Sequence, residues 1–371
     1  MREKLLEEKV NELWIKPSVS PSTPKSLSGV DGGSAKVDFQ GFTLYAVDAV
    51  APTYYDMMND KYENFKVFSL ADVDIPIPPQ VSVRIDMYRE ILEAKVALAA
   101  LSERRVELLL MDGSLRSVLI TPLSIESLVR AERMVSKVFG DEVYSELERI
   151  LSKQVVNYNV LRMNPIASKD IIESYGEELT EEELPAVVLI EYIEKLETYR
   201  RLISKALDSG TLLAFISKTA RSQLYFGVLC KKLGRYIPPD IVVFQALTSS
   251  DGFSKPHIDV KPVKVMPSIL SLRSFYDRLR IITTYVRLED GGPVLKVEIP
   301  YLGNVSEDMA INDVLRLFKY MKSLSSNGYP YVLAEAHELS RISRDALGSI
   351  AYMLDLTSQR TGREVLGEWR V

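Results

Sequence analysis

A short apolar run that ends in Asp-Gly-Ser constrains this chain more than any other feature of its sequence. Residues 106–114 read VELLLMDGS, a nearly continuous apolar stretch that closes in turn residues. A run of this length and composition predicts a strand that is buried on both of its faces. Its last carboxylate, Asp112, is followed by glycine, so backbone there can come close to a phosphate.

The same design occurs a second time, near the start of the chain. Residues 29–34 read GVDGGS, and we expect Asp31 at the C-terminal end of a strand or in the turn after it, with GGSAKVDF as that turn. Two such strands side by side would place Asp31 and Asp112 close together. Their repulsion would be relieved by a divalent cation that prefers oxygen ligands, Mg²⁺ or Mn²⁺. The alternative is that each Asp-Gly pair only forms a turn.

A third carboxylate can come from a helix predicted over residues 80–101. Glu93 lies on a narrow shoulder of this helix that it shares with small alanines, whereas Glu90 points nearly opposite the main stripe and should be solvated. Glu93 is therefore the better ligand candidate and Glu90 the reserve. The main apolar stripe of the helix consists of Ile85, Tyr88, Leu92, Val96 and Ala99.

Three further side chains are candidates for the same site. Lys218 follows the apolar strand LLAFIS and could contact a phosphate, although a lysine at a strand end is often only solvated. His337, placed just before the last helix, could be a metal ligand, a phosphate contact or a general acid, or a structural hydrogen-bonding group. Tyr329 lies eight residues earlier, in the sequence NGYP.

The remaining pattern predicts mixed strands and helices. With the first Asp-Gly strand, two further strands suggest an antiparallel meander, and a mostly helical, charge-rich stretch suggests an insertion or lid. The predicted pieces are a helix over 1–14, a Pro/Ser linker over 16–26, strands over 41–52 and 66–73, the helical stretch 122–208, a helical piece near 268–280, a helix from the cap Ser306 to about 323, and a final helix in the tail.

Composition excludes several classes of protein. A net charge of −5 argues against a basic protein that coats DNA through bulk electrostatics. One cysteine excludes a disulfide framework and a cysteine zinc cluster, and two histidines exclude a histidine-rich metal site. The sequence has no Walker A loop, dinucleotide fingerprint or nucleophile elbow. With no signal peptide or membrane span in the sequence, we expect a cytoplasmic protein.

Four motifs in order, VDGGSAKVDF, LLLMDGSL, FISKTARSQ and GYPYVLAEAHELSRI, resemble those of the NurA nucleases, and the resemblance spans nearly the whole chain. It implies an α/β fold with a ribonuclease-H-like mixed sheet core flanked by helices. It also implies a homodimer and a Mn²⁺- or Mg²⁺-dependent DNA nuclease that works with a HerA-type hexameric translocase in DNA end resection for recombinational repair. The expected domains are an N-terminal helix and linker over 1–25 and a nuclease domain over 26–371, with the helical insertion at about 122–208.

The resemblance also implies roles for individual residues. Asp31 and Asp112 correspond to the metal-binding aspartates of the family, and Glu93 or Glu90 to its helix glutamate. Its C-terminal tyrosine and histidine match Tyr329 and His337, with His337 a metal ligand or a phosphate contact; Lys218 would stabilise negative charge. The expected activity is a 5′-to-3′ exonuclease with single-strand endonuclease activity. The alternatives are a catalytically inert regulatory subunit of a DNA translocase and a metal-dependent phosphatase or nucleotidyltransferase.

Overall fold

A computed structural model describes residues 2–39, 42–58, 64–76, 81–156, 164–175, 181–229, 236 and 238–353. Within these residues ten strands form one sheet, in the order β1-β7-β9-β10-β6-β5-β2-β3-β4, and β8 pairs with β9 outside this path. Two short strands, β11 and β12, form a separate hairpin. The strands are β1 Trp14–Ile15, β2 Leu27–Asp38, β3 Thr43–Tyr54, β4 Phe65–Asp74, β5 Leu108–Asp112, β6 Leu212–Ser217, β7 Gly252–Ser254, β8 His257–Asp259, β9 Leu279–Arg287, β10 Val294–Leu302, β11 Ser325–Ser326 and β12 Tyr329–Pro330.

The centre of the sheet is its parallel part. Strand β5 lies between β2 and β6 and is parallel to both, whereas the other strand pairs of this sheet are antiparallel. Leu108 to Met111 are at most 1% exposed, which confirms the prediction of a strand buried on both faces. The antiparallel meander is confirmed as well, since β2, β3 and β4 pair in sequence order.

Helices cover both faces of the central strands. On one face α2 and α7 pack together over a core that includes Val30, Leu109 and Met111. On the other face α10 and α11 cover Leu108 and Leu110. The helices are α1 Arg2–Leu13, α2 Val81–Glu103, α3 Leu115–Val118, α4 Ile125–Phe139, α5 Val143–Val156, α6 Ala167–Tyr175, α7 Leu184–Ser209, α8 Asp240–Leu247, α9 Leu270–Tyr276, α10 Glu307–Ser323, α11 Tyr331–Leu339 and α12 Arg344–Met353.

This arrangement confirms the predicted fold class, a mixed α/β sheet flanked by helices. The N-terminal helix is present as α1, and α4 to α7 occupy the stretch predicted to be helical. The predicted N-cap Ser306 accepts a hydrogen bond from the Met309 N–H at the start of α10. In the part of the chain that the structure describes, no helix has the length and apolar character needed to cross a membrane.

Two predictions of local secondary structure are wrong. The segment GGSAKVDF was expected as a turn after Asp31, but β2 continues to Asp38 and Asp31 lies in its middle. The glycines there serve close packing against neighbouring elements instead of chain reversal. The tail was expected to hold one final helix with His337 just before it; the chain instead forms α11, which contains His337, and then α12.

Candidate metal centre

The two aspartates of the Asp-Gly segments lie on neighbouring parallel strands. Val30 of β2 is paired with Met111 of β5, so the residues that follow them, Asp31 and Asp112, lie next to each other at the C-terminal end of β5. Asp31 is 6% exposed. Burial raises the pKa of its carboxyl group, and the charge of Asp112 raises it further. The strand register therefore places the two carboxylates side by side, as predicted.

Two glycines of β2 bring α11 close to Asp31. A Cβ atom on Gly29 would lie 2.7 Å from the backbone oxygen of Val332, and one on Gly33 would lie 1.8 Å from that of Ser340. Only residues without a side chain allow the helix to lie so near the strand. As a result His337, in the last turn of α11, contacts Asp31 through Nδ1 and Oδ2 at 2.8 Å. The signal in the sequence is a glycine two residues before and two residues after Asp31.

The third carboxylate approaches from the α2 side of the sheet. Glu93 is 3% exposed, and a Cβ on Gly32 would lie 2.7 Å from its Oε1. Burial raises the pKa of Glu93 to about 8; Arg89, which donates to Oε1 at 2.6 Å, lowers it, and the charges of Glu90, Asp31 and Asp112 add to the increase. Glu93 therefore lies within electrostatic reach of both aspartates.

The expectation that Glu90 is solvated is wrong. Its carboxylate accepts a hydrogen bond from Lys195 Nζ of α7 at 3.1 Å, and its side chain is 17% exposed. The reason is that α7 packs along α2 and covers the side of the helix that the apolar stripe alone left open. The stripe itself was predicted correctly, since Ile85, Tyr88, Leu92, Val96 and Ala99 are all buried.

The two remaining candidates, Lys218 and Tyr329, both contact Asp112. Lys218 Nζ lies 3.1 Å from Asp112 Oδ2, and the Tyr329 hydroxyl donates to the same oxygen at 3.2 Å. The ammonium of Lys218 also lies 4.4 Å from the centre of the Tyr329 ring. Because Tyr329 is partly buried beside two carboxylates, its pKa is raised well above the usual value. The Lys218 side chain remains 47% exposed, so it faces solvent at this end of the sheet.

A fourth carboxylate, Asp48, was not among the candidates. It lies in β3 opposite Gly33, and its Oδ1 accepts a hydrogen bond from the Gly33 N–H at 2.9 Å. Burial raises the pKa of Asp48 to about 6, with a smaller contribution from the charge of Asp31. The signal that could have found it is a lone carboxylate in the apolar strand LYAVDAVAP.

The donor chemistry of this cluster fits a hard divalent cation. Asp31, Glu93 and Asp112 supply carboxylate oxygens, and His337 adds one imidazole. Each side chain is turned towards a protein partner: His337 with Asp31, Arg89 with Glu93, and Lys218 and Tyr329 with Asp112. Among the described residues no three such side chains already converge in a ligand geometry. Binding of an ion therefore requires these carboxylates to rotate away from their present partners.

Fold and site together define a class: a mixed α/β protein with a carboxylate-rich site beside two central parallel strands, of the kind that binds a divalent cation. The NurA domain matches this chain over residues 25–342, which is most of its length. The chain belongs to the NurA family. The family resemblance seen in the four sequence motifs is thereby confirmed.

Individual relatives cover nearly the full chain. A protein of Methanocaldococcus jannaschii described as a probable DNA double-strand break repair nuclease NurA is 27% identical over 97% of this chain and 85% of its own length. The DNA double-strand break repair nuclease NurA of Sulfurisphaera tokodaii is 23% identical over 95% of this chain and 87% of its own.

Solved structures show the same fold. The NurA nuclease from Sulfolobus solfataricus superposes with a TM-score of 0.68 at 22% identity, covering 96% of this chain and 92% of that one. A NurA structure described as bound to dAMP and manganese gives a TM-score of 0.67 at 17% identity, covering 98% and 94%.

Proposed function

We propose that this chain is a metal-dependent DNA nuclease that uses Mn²⁺ or Mg²⁺ to hydrolyse phosphodiester bonds. The observation that carries the proposal is the grouping of four donor side chains near the end of β5. Asp31 lies next to Asp112, His337 contacts Asp31, and Glu93 lies within electrostatic reach of both aspartates. Relatives described as DNA double-strand break repair nucleases, and a NurA structure described with manganese, support the substrate and the metal.

In this proposal Asp31, Glu93 and Asp112 hold the cation, and His337 is a further ligand or a contact to the scissile phosphate. When bound, the cation supplies Lewis-acid catalysis and positive charge for the phosphodiester. Glu93 must give up its proton to serve as a ligand, because its pKa of about 8 leaves it largely protonated at neutral pH.

In this proposal the two polar side chains that contact Asp112, those of Lys218 and Tyr329, interact with the DNA phosphate. Lys218 is half exposed and lies beside the carboxylate cluster, so its ammonium can neutralise a phosphate oxygen once Asp112 turns to the cation. Tyr329 keeps its proton because its pKa is raised, so its hydroxyl can donate to a phosphate oxygen or to the attacking water.

The finer parts of the proposal rest on the family resemblance. We propose a 5′-to-3′ exonuclease with single-strand endonuclease activity, which acts in end resection as a homodimer with a HerA-type translocase. Residues 26–371 would form the nuclease domain on a ribonuclease-H-like sheet, with an insertion at about 122–208 and an N-terminal helix and linker over 1–25. The net charge of −5 favours a partner that delivers DNA, because the bulk charge of this chain does not attract DNA.

Cleavage of linear DNA labelled at its 5′ or 3′ end tests the activity and its polarity. We expect Mn²⁺-dependent loss of substrate that EDTA stops and that Asp112→Asn abolishes. Asp208→Asn, which changes an exposed aspartate near the end of α7, is the control and should cleave like the wild type. Metal-dependent cleavage that survives Asp112→Asn would refute the site assignment.

The partner is tested separately by measuring DNA affinity with and without a HerA-type hexamer at physiological salt. We expect weak binding by this chain alone and a large gain with the hexamer. No cleavage with either metal, together with hexamer binding, would favour the inert regulatory subunit instead. Equal DNA affinity in both conditions would contradict the proposed delivery of DNA by the partner.

A further inference from the structure

The turn that follows Asp112 is held by a glutamate on another strand, 184 positions further along the chain than Ser114. Glu298 of β10 accepts a hydrogen bond from the Ser114 hydroxyl at 2.8 Å and another from the backbone N–H of Arg116 at 3.2 Å, both through Oε2. On the other side of the turn, the Gly113 N–H donates to the backbone oxygen of Ile216 at 2.8 Å. The residues that follow Asp112 are thus held by two different strands.

Glu298 approaches this turn from the face of the sheet that α2 and α7 cover. It is paired across the strands with Phe215, whose side chain belongs to the core under α2 and α7. Asp112 is paired with Ile216, which belongs to the core on the opposite face. The hydrogen bonds of Glu298 go to Ser114, Arg116 and Lys296, so it can influence Asp112 through the residues that follow Asp112.

The Glu298 carboxylate is fully buried and has basic neighbours. Glu298 is 0% exposed and Lys296, 4% exposed, donates to its Oε1. Lys296 Nζ also lies 3.3 Å from the Ser114 hydroxyl, and Arg116 Nε lies 3.8 Å from Glu298 Oε1. Burying such a group is costly unless it is paired and hydrogen-bonded, and here most of its bonds go to the residues after Asp112.

We infer that Glu298 is a positioning residue that fixes the orientation of Asp112 for metal binding, with Lys296 as its counter-charge. The inference rests on the proposed function, since it takes Asp112 as a metal ligand. Groups that orient a metal ligand affect metal affinity strongly, often by about 10- to 100-fold. Nothing in the local sequence LKVEIP marks this role; the contact across the sheet defines it.

The first test compares Glu298→Gln with Glu194→Gln. Glu194 is a matched control because it is also fully buried, is paired with Lys95, and accepts two backbone N–H bonds at the start of a helix, α6. Mn²⁺ affinity is measured by titration calorimetry, and the Mn²⁺ concentration for half-maximal cleavage is measured beside it. We expect Glu298→Gln to raise the dissociation constant for Mn²⁺ and the half-maximal Mn²⁺ concentration about tenfold each, with cleavage recovering at saturating Mn²⁺. Glu194→Gln should leave both values unchanged.

A second pair of variants, with milder substitutions, is used if Glu298→Gln does not fold. Ser114→Ala removes one donor to Glu298, and Ser124→Ala is its control, because each serine caps a helix by accepting from the backbone N–H three residues later. We expect a several-fold weaker Mn²⁺ affinity, on the order of a lost hydrogen bond, for Ser114→Ala only.

The outcomes separate this inference from the proposed function. If the folded wild type does not bind Mn²⁺, or if Asp112→Asn binds it as well as the wild type does, the metal-site assignment fails. If the wild type binds Mn²⁺ and Asp112→Asn does not, the positioning role is overturned when Glu298→Gln binds Mn²⁺ with wild-type affinity. Where Glu298→Gln does not fold, wild-type affinity in Ser114→Ala overturns it instead. Equal weakening in a variant and its control also overturns it, because the effect would then be general destabilisation.

Discussion

Replacing Gly33 with alanine should separate His337 from Asp31 without touching either residue. The new Cβ would lie 1.8 Å from the backbone oxygen of Ser340, whereas real Cβ contacts are hardly ever under 3.0 Å. The end of α11 must therefore retreat by about 1.2 Å, since neither a backbone carbonyl nor a central strand can rotate away. The same displacement at His337 would lengthen its 2.8 Å contact with Asp31 to as much as about 4.0 Å, which is no longer a hydrogen bond.

The cost in stability follows from the same contacts. Overpacking of this kind costs about 1–3 kcal/mol, and the lost hydrogen bond adds about 1 kcal/mol. We expect the free energy of unfolding, measured by urea titration, to fall by about 2–4 kcal/mol. Because the chain has only two histidines, ring-proton NMR signals report the separation directly: the His337 signals should shift and those of His257 should not.

The control is Gly348→Ala. Gly348 lies in α12 with no atom within 4 Å of its would-be Cβ, so alanine there should be neutral or stabilising by up to about 1 kcal/mol. Mn²⁺-dependent cleavage should fall in Gly33→Ala and persist in Gly348→Ala. If Gly33→Ala unfolds like the wild type and its His337 signals are unchanged, the glycines do not set the distance between α11 and β2, and the reasoning is refuted.

Three other predictions concern the same site. The folded metal-free chain holds a proton on Glu93, whose pKa is about 8, and the unfolded chain loses it near the usual 4.5. The free energy of unfolding in EDTA should therefore fall as pH rises between these values, with Glu93 contributing at most about 1.4 kcal/mol per pH unit. Glu93→Gln should reduce this slope, and the raised pKa of Asp48 should leave part of it below pH 6. Tyr54→Phe removes hydrogen bonds of 3.0 and 2.8 Å from Tyr54 to Glu335, which tie α11 to β3, and should cost about 1.5–3 kcal/mol in urea unfolding. Asp48→Ala leaves the Gly33 N–H without its acceptor and should cost about 1–3 kcal/mol, whereas Asp48→Asn, which keeps an acceptor oxygen, should restore most of it; equal losses would contradict this.

Much of the site could be predicted from the sequence because it depends on local patterns. The apolar run before Asp112 predicts a strand buried on both faces, and helical spacing favours Glu93 over Glu90 as the carboxylate that turns towards the aspartates. The order of four short motifs was enough to indicate the family. The first two signals each lie within one strand or one helix, where periodicity and side-chain chemistry decide the structure.

Only the tertiary structure decided the contacts between distant segments. The glycines after Asp31 look like a turn locally, but they extend β2 because α11 and Glu93 pack against them. The contact of His337 with Asp31 joins residues 306 positions apart, and the anchor from Glu298 to Ser114 joins residues 184 apart. Such pairs are selected by which strands become neighbours and how closely the helices approach them, and no local pattern carries that information.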